Sequence, residues 1–233
     1  MTVLNPTKDT GATSKASPLL YGEPDRLVTD ELLAEQLQID GVNAPFLADL
    51  LSAFVTHERC GRHLYRSVAG RTNNSMLKQR YEHFGKETEE HVEILETLIT
   101  NSGGSPSYSS PMARAVEAQD AKLLESTFLG AGTLDLMTAE MAMLDAVFAA
   151  EALDQANWQA MDQICESLPG GPIQEQFRTA VDRVLSQEQE HFEWAHGTRA
   201  KLTKLQLESS TLAMAGEKME EMMAKVRSWF SSD

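Results

Sequence analysis

Residues 184–195 read Val184-Leu185-Ser186-Gln187-Glu188-Gln189-Glu190-His191-Phe192-Glu193-Trp194-Ala195. With Phe177 and Val181 before them, Val184 and Ala195 recur at the three-and-four spacing of one helix face. Glu188 and His191 occupy two further positions of that same face. Burying a carboxylate with no partner costs several kcal/mol, so this face must meet a charge, a donor or a metal ion. The spacing of three also brings the carboxylate and the imidazole side by side.

Three other segments repeat the pattern. Proline breaks helix interiors, and the prolines leave 46–105, 112–168 and 173–233 free. These stretches are rich in good helix formers, and no β-type alternation interrupts them. The first long helix is expected at about 44–68, with the stripe Leu47, Leu51, Phe54, Glu58, Gly61, Tyr65. The second, at about 75–101, carries Tyr81, Phe84, Thr88, His91, Leu95, Leu98. The third, at about 133–165, carries Met137, Met141, Leu144, Phe148, Glu151, Trp158, Met161. The fourth is the one quoted above, at about 173–207. Asn101–Pro106 and Leu168–Pro172 are firm breaks. A further helix at 111–127 and a bend at Gly130–Gly132 fill the long connection between the second and third helices.

The segments pair as a repeat. Leu51-x6-Glu58-x6-Tyr65 matches Leu144-x6-Glu151-x6-Trp158, and Glu90-His91-Val92-Glu93 matches Glu190-His191-Phe192-Glu193. Two hairpins joined by a long crossover make a four-helix bundle, and four helices that bring acids and imidazoles to one level can build a di-metal carboxylate site. The competing account is a metal-free bundle whose acids and imidazoles pair with one another.

Composition narrows the partners. The chain has 233 residues, 20 of them basic and 35 acidic, for a formal charge of −15. That argues against nucleic acid as a partner. Cys60 and Cys165 are too few for a disulfide framework. No apolar run is long enough for a membrane span, and no leader pattern opens the chain, so a cytoplasmic protein is expected. Residues 1–27 read as a flexible lead, 28–208 as the bundle domain with a short helix at 28–38, and 209–233 as a Met-rich amphipathic helix. That last helix can fold back on the bundle or form an interface, such as that of a homodimer.

On Glu58, His91, Glu151 and Glu188-Gln189-Glu190-His191, the chain resembles the ferritin-like superfamily, in particular its rubrerythrin-type di-iron bundles. The resemblance covers about 44–207 and implies an all-α, ferritin-like four-helix bundle with an added C-terminal helix. It implies two iron ions per chain, with manganese as the other choice. Glu58 and His91 would hold one metal and His191 the other, with Glu151 and Glu188 bridging. Thr88 stands where the family has a Glu, and Glu87 beside it is the replacement that the sequence offers. Implied activities are those of an oxidoreductase using O2 or peroxide, as oxidase, peroxidase or hydroxylase, with a separate electron donor or small substrate. No Cys-x-x-Cys electron-transfer module accompanies it. The segment 87–93 also resembles small bacterial ferritin-like stress proteins, which implies a non-catalytic metal-binding or interaction role as the alternative.

Among the remaining residues, His57, His63, His83 and His196 lie off the stripes and read as surface groups or outer partners of the site. Asp154 is the nearest candidate for an outer partner on the third helix. Tyr65, Trp158 and Trp194 read as core. Gly61 and Gly85 fall inside helices, where each costs ~1 kcal/mol relative to alanine; close helix approach beside the acids would account for them, as would chance.

Overall fold

A computed structural model describes residues 41–129 and 136–208. These form five helices and, among the described residues, no strands. They are α1 (Ala44–Arg71), α2 (Ser75–Asn101), α3 (Pro111–Leu129), α4 (Leu136–Ser167) and α5 (Pro172–Glu208). The expected lead at 1–27, the short helix at 28–38, the bend at Gly130–Gly132 and the amphipathic segment 209–233 lie outside the described residues.

Local chemistry sets the helix ends. Asn43 caps α1 through a bond from the Phe46 amide, with Pro45 in the first turn, where a missing N–H is harmless. Asn74 caps α2 by accepting from the amides of Met76 and Leu77. Ser110 accepts from the Ala113 amide at the start of α3, whose first residue is Pro111. Gly103 and Gly171 have φ of +84° and +143°, a region that L side chains avoid, and they turn the chain after α2 and before α5.

α1 packs on α2, α4 on α5, α1 on α4 and α2 on α5, while α3 lies against both α1 and α4. Two apolar clusters fill the interior. One is built from Leu51, Phe54, Leu95, Trp158, Met161, Phe177 and Val184, among others. The second includes Tyr65, Val68, Tyr81, Phe84, Leu144, Val147 and Ala195. Along α1 and α5 the chain passes from the first cluster to the second, and along α2 and α4 it passes the other way. Neighbouring helices in this set therefore run antiparallel. The buried polar residues Glu58, His91, Glu151, Glu188 and His191 fall in the gap between the clusters on all four helices.

A smaller polar contact ties α4 to the α1–α2 turn. Glu140 accepts from the Thr72 hydroxyl at 2.7 Å and the Asn73 amide at 2.8 Å. The two helix glycines prove unequal. A Cβ on Gly85 would stand 3.1 Å from the Tyr65 Cβ, whereas one on Gly61 would meet the Thr88 methyl at an ordinary 3.5 Å. Close approach therefore explains Gly85 and not Gly61. For Gly85→Ala, a propensity gain of about 1 kcal/mol is set against an overpacking penalty of about 1–3 kcal/mol. Urea unfolding should show Gly85→Ala destabilised and Gly61→Ala stabilised; equal gains for both would remove the close-approach account.

Candidate metal centre

Five side chains, each 3% exposed or less, meet between the apolar clusters. Glu58 of α1, His91 of α2 and Glu188 of α5 form one group, and Glu151 of α4 with Glu188 and His191 of α5 forms another. Within each group the ligand atoms lie within 4.8 Å of one another. Glu188 belongs to both groups, whereas Glu151 belongs to one.

Both imidazoles turn Nδ1 inward. His91 Nδ1 lies 2.7 Å from Glu188 Oε1 and 3.6 Å from Glu58 Oε1. His191 Nδ1 lies 3.3 Å from Glu151 Oε2 and 3.7 Å from Glu188 Oε1. These are ion-pair distances, without the alignment of hydrogen bonds. The outer nitrogens are held by a polar belt. His91 Nε2 donates to Gln187 Oε1 at 3.1 Å, and His191 Nε2 donates to Glu87 Oε2 at 2.9 Å. Gln187 Nε2 donates to Glu87 Oε1 at 2.8 Å, which turns its own amide oxygen towards His91. An amide oxygen and a carboxylate can only accept, so the belt fixes a proton on each Nε2 and leaves each Nδ1 lone pair for the centre.

The terminal carboxylates are fixed by aromatic donors. Trp158 Nε1 donates to Glu58 Oε1 and the Tyr65 hydroxyl donates to Glu151 Oε1, both at 2.7 Å. The repeat noted in the sequence is thus reciprocal: the aromatic seven residues after each acid crosses to hold the acid of the other helix. Six buried atoms at the centre keep no hydrogen-bond partner: Glu58 Oε2, Glu151 Oε2, both Glu188 oxygens and both Nδ1 atoms. Carboxylate oxygens and imidazole nitrogens that converge at ion-pair distances with no aligned hydrogen bond among them fit a divalent cation.

Electrostatics point the same way. Burial works against a charged imidazole at His91, yet Glu188 and Glu58 outweigh it and push the group up to about 11. At His191, burial is likewise outweighed by Glu151 and Glu87, and the group rises to about 10. Burial first, with the nearby Glu151 and Glu58 charges, lifts Glu188 to about 7 against the pull of His91. Protons thus balance the buried carboxylates, and a cation bound there would have to displace them.

Of the six residues offered by the sequence, Glu58, His91, Glu151, Glu188 and His191 converge. Glu87 is placed on the far side of His191, where the imidazole bond, against some burial, holds its carboxyl down at about 2. There it supports the ring instead of joining either group. Thr88 is buried and spends its hydroxyl on the Phe84 carbonyl of its own helix at 2.9 Å.

The off-stripe histidines separate into two kinds. His63, His83 and His196 are exposed, but His57 is buried. Its Nδ1 donates to Asp120 of α3 at 2.8 Å and its Nε2 to the Ala150 carbonyl at 3.1 Å. Both partners accept, so the ring carries both protons; burial disfavours that charge, and Asp120 restores it and raises the group. A surface reading of His57 fails because α3 covers a second face of α1, which a single-stripe reading leaves to solvent. Asp154 is buried 4.0 Å from His57 Nε2, and burial, with Glu58 close behind, raises its carboxyl well above the usual range.

No protein-family model, curated protein or solved structure matches the chain. The candidate site therefore rests on its own geometry.

Two substitutions probe that geometry. Trp158→Phe removes the donor and strands a buried carboxylate oxygen, which should cost about 1–3 kcal/mol in the metal-free chain. Chemical denaturation reads this directly, and a change within error would deny the Trp158–Glu58 bond its role. Glu87→Ala should preserve the number of metal ions bound while lowering affinity ~10–100-fold, as expected of an outer partner. A halved stoichiometry in calorimetric titration would instead make Glu87 a ligand.

Proposed function

We propose that this chain is a ferritin-like di-metal carboxylate protein, binding two iron ions, or manganese in their place, and acting as an oxidoreductase on O2 or peroxide. One observation carries the reading: Glu188 is common to two three-residue groups whose inward atoms have no hydrogen-bond partners. A carboxylate placed in that way could serve two cations at once. The donor set has no thiolate; Cys60 and Cys165 are free and take no part in either group. Hard oxygen and borderline imidazole ligands favour iron or manganese over soft metals. A redox-active metal pair held there would supply two electrons to a dioxygen or peroxide bond.

The protein's own part is then specific. Glu58 and His91 would hold one ion and Glu151 and His191 the other, with Glu188 common to both; Glu151, expected from the resemblance to bridge as well, stands in one group only. The Gln187–Glu87 belt orients the imidazoles, and Trp158 and Tyr65 orient the terminal carboxylates. Apolar clusters on either side keep bulk water from the reacting volume. The cycle of contacts α1–α2–α5–α4–α1, with α3 along one side, supports a four-helix bundle in which α3 belongs to the crossing connection.

A second reading has its own observation. Thr88 turns its hydroxyl to its own backbone, so α2 supplies an imidazole and no carboxylate to the centre. Three carboxylates and two imidazoles suit a metal-binding or interaction protein that does not turn over.

Anaerobic ferrous titration of the metal-free chain, followed by O2, tests the first reading. Two ions per chain and a new charge-transfer band are expected. One ion, or bound iron indifferent to O2, would shift the assignment to the second reading, and no binding would end the first and leave only the interaction role of the second. Glu151→Ala should lose metal while keeping its helical circular dichroism. The pH dependence has a definite sign. His91 and His191 hold protons that the cation must displace, so affinity should rise from about pH 6 to 8, with protons released on binding. A flat profile would mean that the imidazoles are not ligands.

A further inference from the structure

We propose that His57 is a positioning residue: held between Asp120 of α3 and the Ala150 carbonyl of α4, it sets the spacing of α1 and α4 beside the buried carboxylates Glu58 and Glu151. The repeat in the sequence makes the placement specific. Glu58 and Glu151 are equivalent positions of that repeat, so the residues before them, His57 and Ala150, are equivalent too. One carries an imidazole and the other only a methyl group, and both are buried. A ring rooted in α1 and bonded to the backbone of α4 therefore stands one residue from each acid.

The ring has little freedom. Nδ1 is held at 2.8 Å and Nε2 at 3.1 Å, so turning it strands a buried polar group on either side. Ala150 lies inside α4, and its carbonyl belongs to the helix backbone, which cannot follow the ring as a side chain would. α3 packs against both α1 and α4 and supplies the carboxylate that aims the ring. The connection that the topology requires thus also carries the support of the α1–α4 face. On the opposite face the Gln187–Glu87 belt does the equivalent for the imidazoles of α2 and α5.

Two bonds depend on the spacing. Trp158 to Glu58 and Tyr65 to Glu151 both cross between α1 and α4 at 2.7 Å, and each fixes one oxygen of an acid. Such bonds weaken steeply once geometry is lost, so a wider gap frees both carboxylates to turn. The two ligand groups would feel this unequally. Glu151, Glu188 and His191 all come from α4 and α5, whereas the other group needs Glu58 from α1. Only the effect on metal binding rests on the di-metal reading; the effect on the carboxylates does not.

The test compares three changes in the full chain: Asp120→Leu, His57→Phe combined with Asp120→Leu, and the conservative Asp120→Asn, whose amide oxygen still accepts from Nδ1. The double variant removes the buried carboxylate together with its partner, and it decides the matter where Asp120→Leu alone does not fold. Glu140→Ala, which cuts another tie to α4 about three helical turns from Glu151, controls for loss of stability alone. In the metal-free chain the readout is the indole N–H proton resonance of Trp158, assigned by its absence in Trp158→Phe. It should move in Asp120→Leu and in the double variant, and hold in Asp120→Asn and Glu140→Ala. Cobalt(II) titration is the second readout, followed by the visible absorption that reports ligand geometry. In the disruptive variants one ion should bind ~10-fold or more weakly, as when the outer support of a ligand is removed, with an altered spectrum; the other should bind as in the parent. An indole resonance unmoved in the double variant, or moved equally in Glu140→Ala, would overturn the proposal. A parent chain that takes up no cobalt ends the metal reading and leaves the indole result to decide the spacing, so the two failures are distinct.

Discussion

Three carboxylates gathered out of reach of water impose the constraint from which most of the interior follows. Like charges in a medium of low polarity repel strongly, and each also gives up its hydration. Only positive charge at close range makes the arrangement tolerable. The imidazoles of His91 and His191 provide it as protonated rings, and a metal ion would provide it more compactly. The same constraint explains the outer belt. An imidazole can accept a cation at Nδ1 only if Nε2 keeps its proton, and Gln187 and Glu87 see to that.

The aromatic residues belong to the same scheme. Trp158 and Tyr65 are among the largest fully buried side chains, and each also has one polar atom that needs a partner. Each finds it on a carboxylate of the opposite helix. One oxygen of Glu58 and one of Glu151 are thereby satisfied and fixed, leaving the second oxygen for the centre. Packing and ligand geometry are consequently set by the same two side chains. Gly85 extends this to the backbone, because its missing side chain is what allows α2 to lie against Tyr65.

Much of this was legible in the sequence because helices have a simple period. Proline positions and the three-and-four stripes place α1, α2, α3, α4 and α5 to within a few residues, and the acids and imidazoles in those stripes single out the five side chains that meet. The limits were also physical. A single-stripe reading assumes one buried face per helix, and α3 gives α1 a second, which hid the burial of His57 against Asp120. Glu87 stands next to the required position, but on a helix one residue is a rotation of about 100°, enough to move it from the inner side of His191 to the outer. The spacing Glu-x6-aromatic was visible in both halves of the repeat, yet spacing alone cannot tell a ring that fills space from one that donates a bond. Gln187, beside Glu188, carried no periodic signal that would separate it from a solvated glutamine.

Glu188 and His191 share α5 with each other, and Glu151 stands on α4, the helix joined to α5 by a short turn. One group of ligands is thus local to a single hairpin. The other group takes Glu58 and His91 from α1 and α2 and borrows Glu188 from α5. It exists only when the two hairpins have docked, and so do the bonds from Trp158 to Glu58 and from Tyr65 to Glu151, which join residues 100 and 86 positions apart. Contacts of such separation carry a larger loop-closure cost than those within one hairpin. The halves of a site that looks symmetric therefore differ in origin: the three side chains of one come from the α4–α5 hairpin alone, and those of the other form a clasp across the core, fastening the first half of the chain to the second.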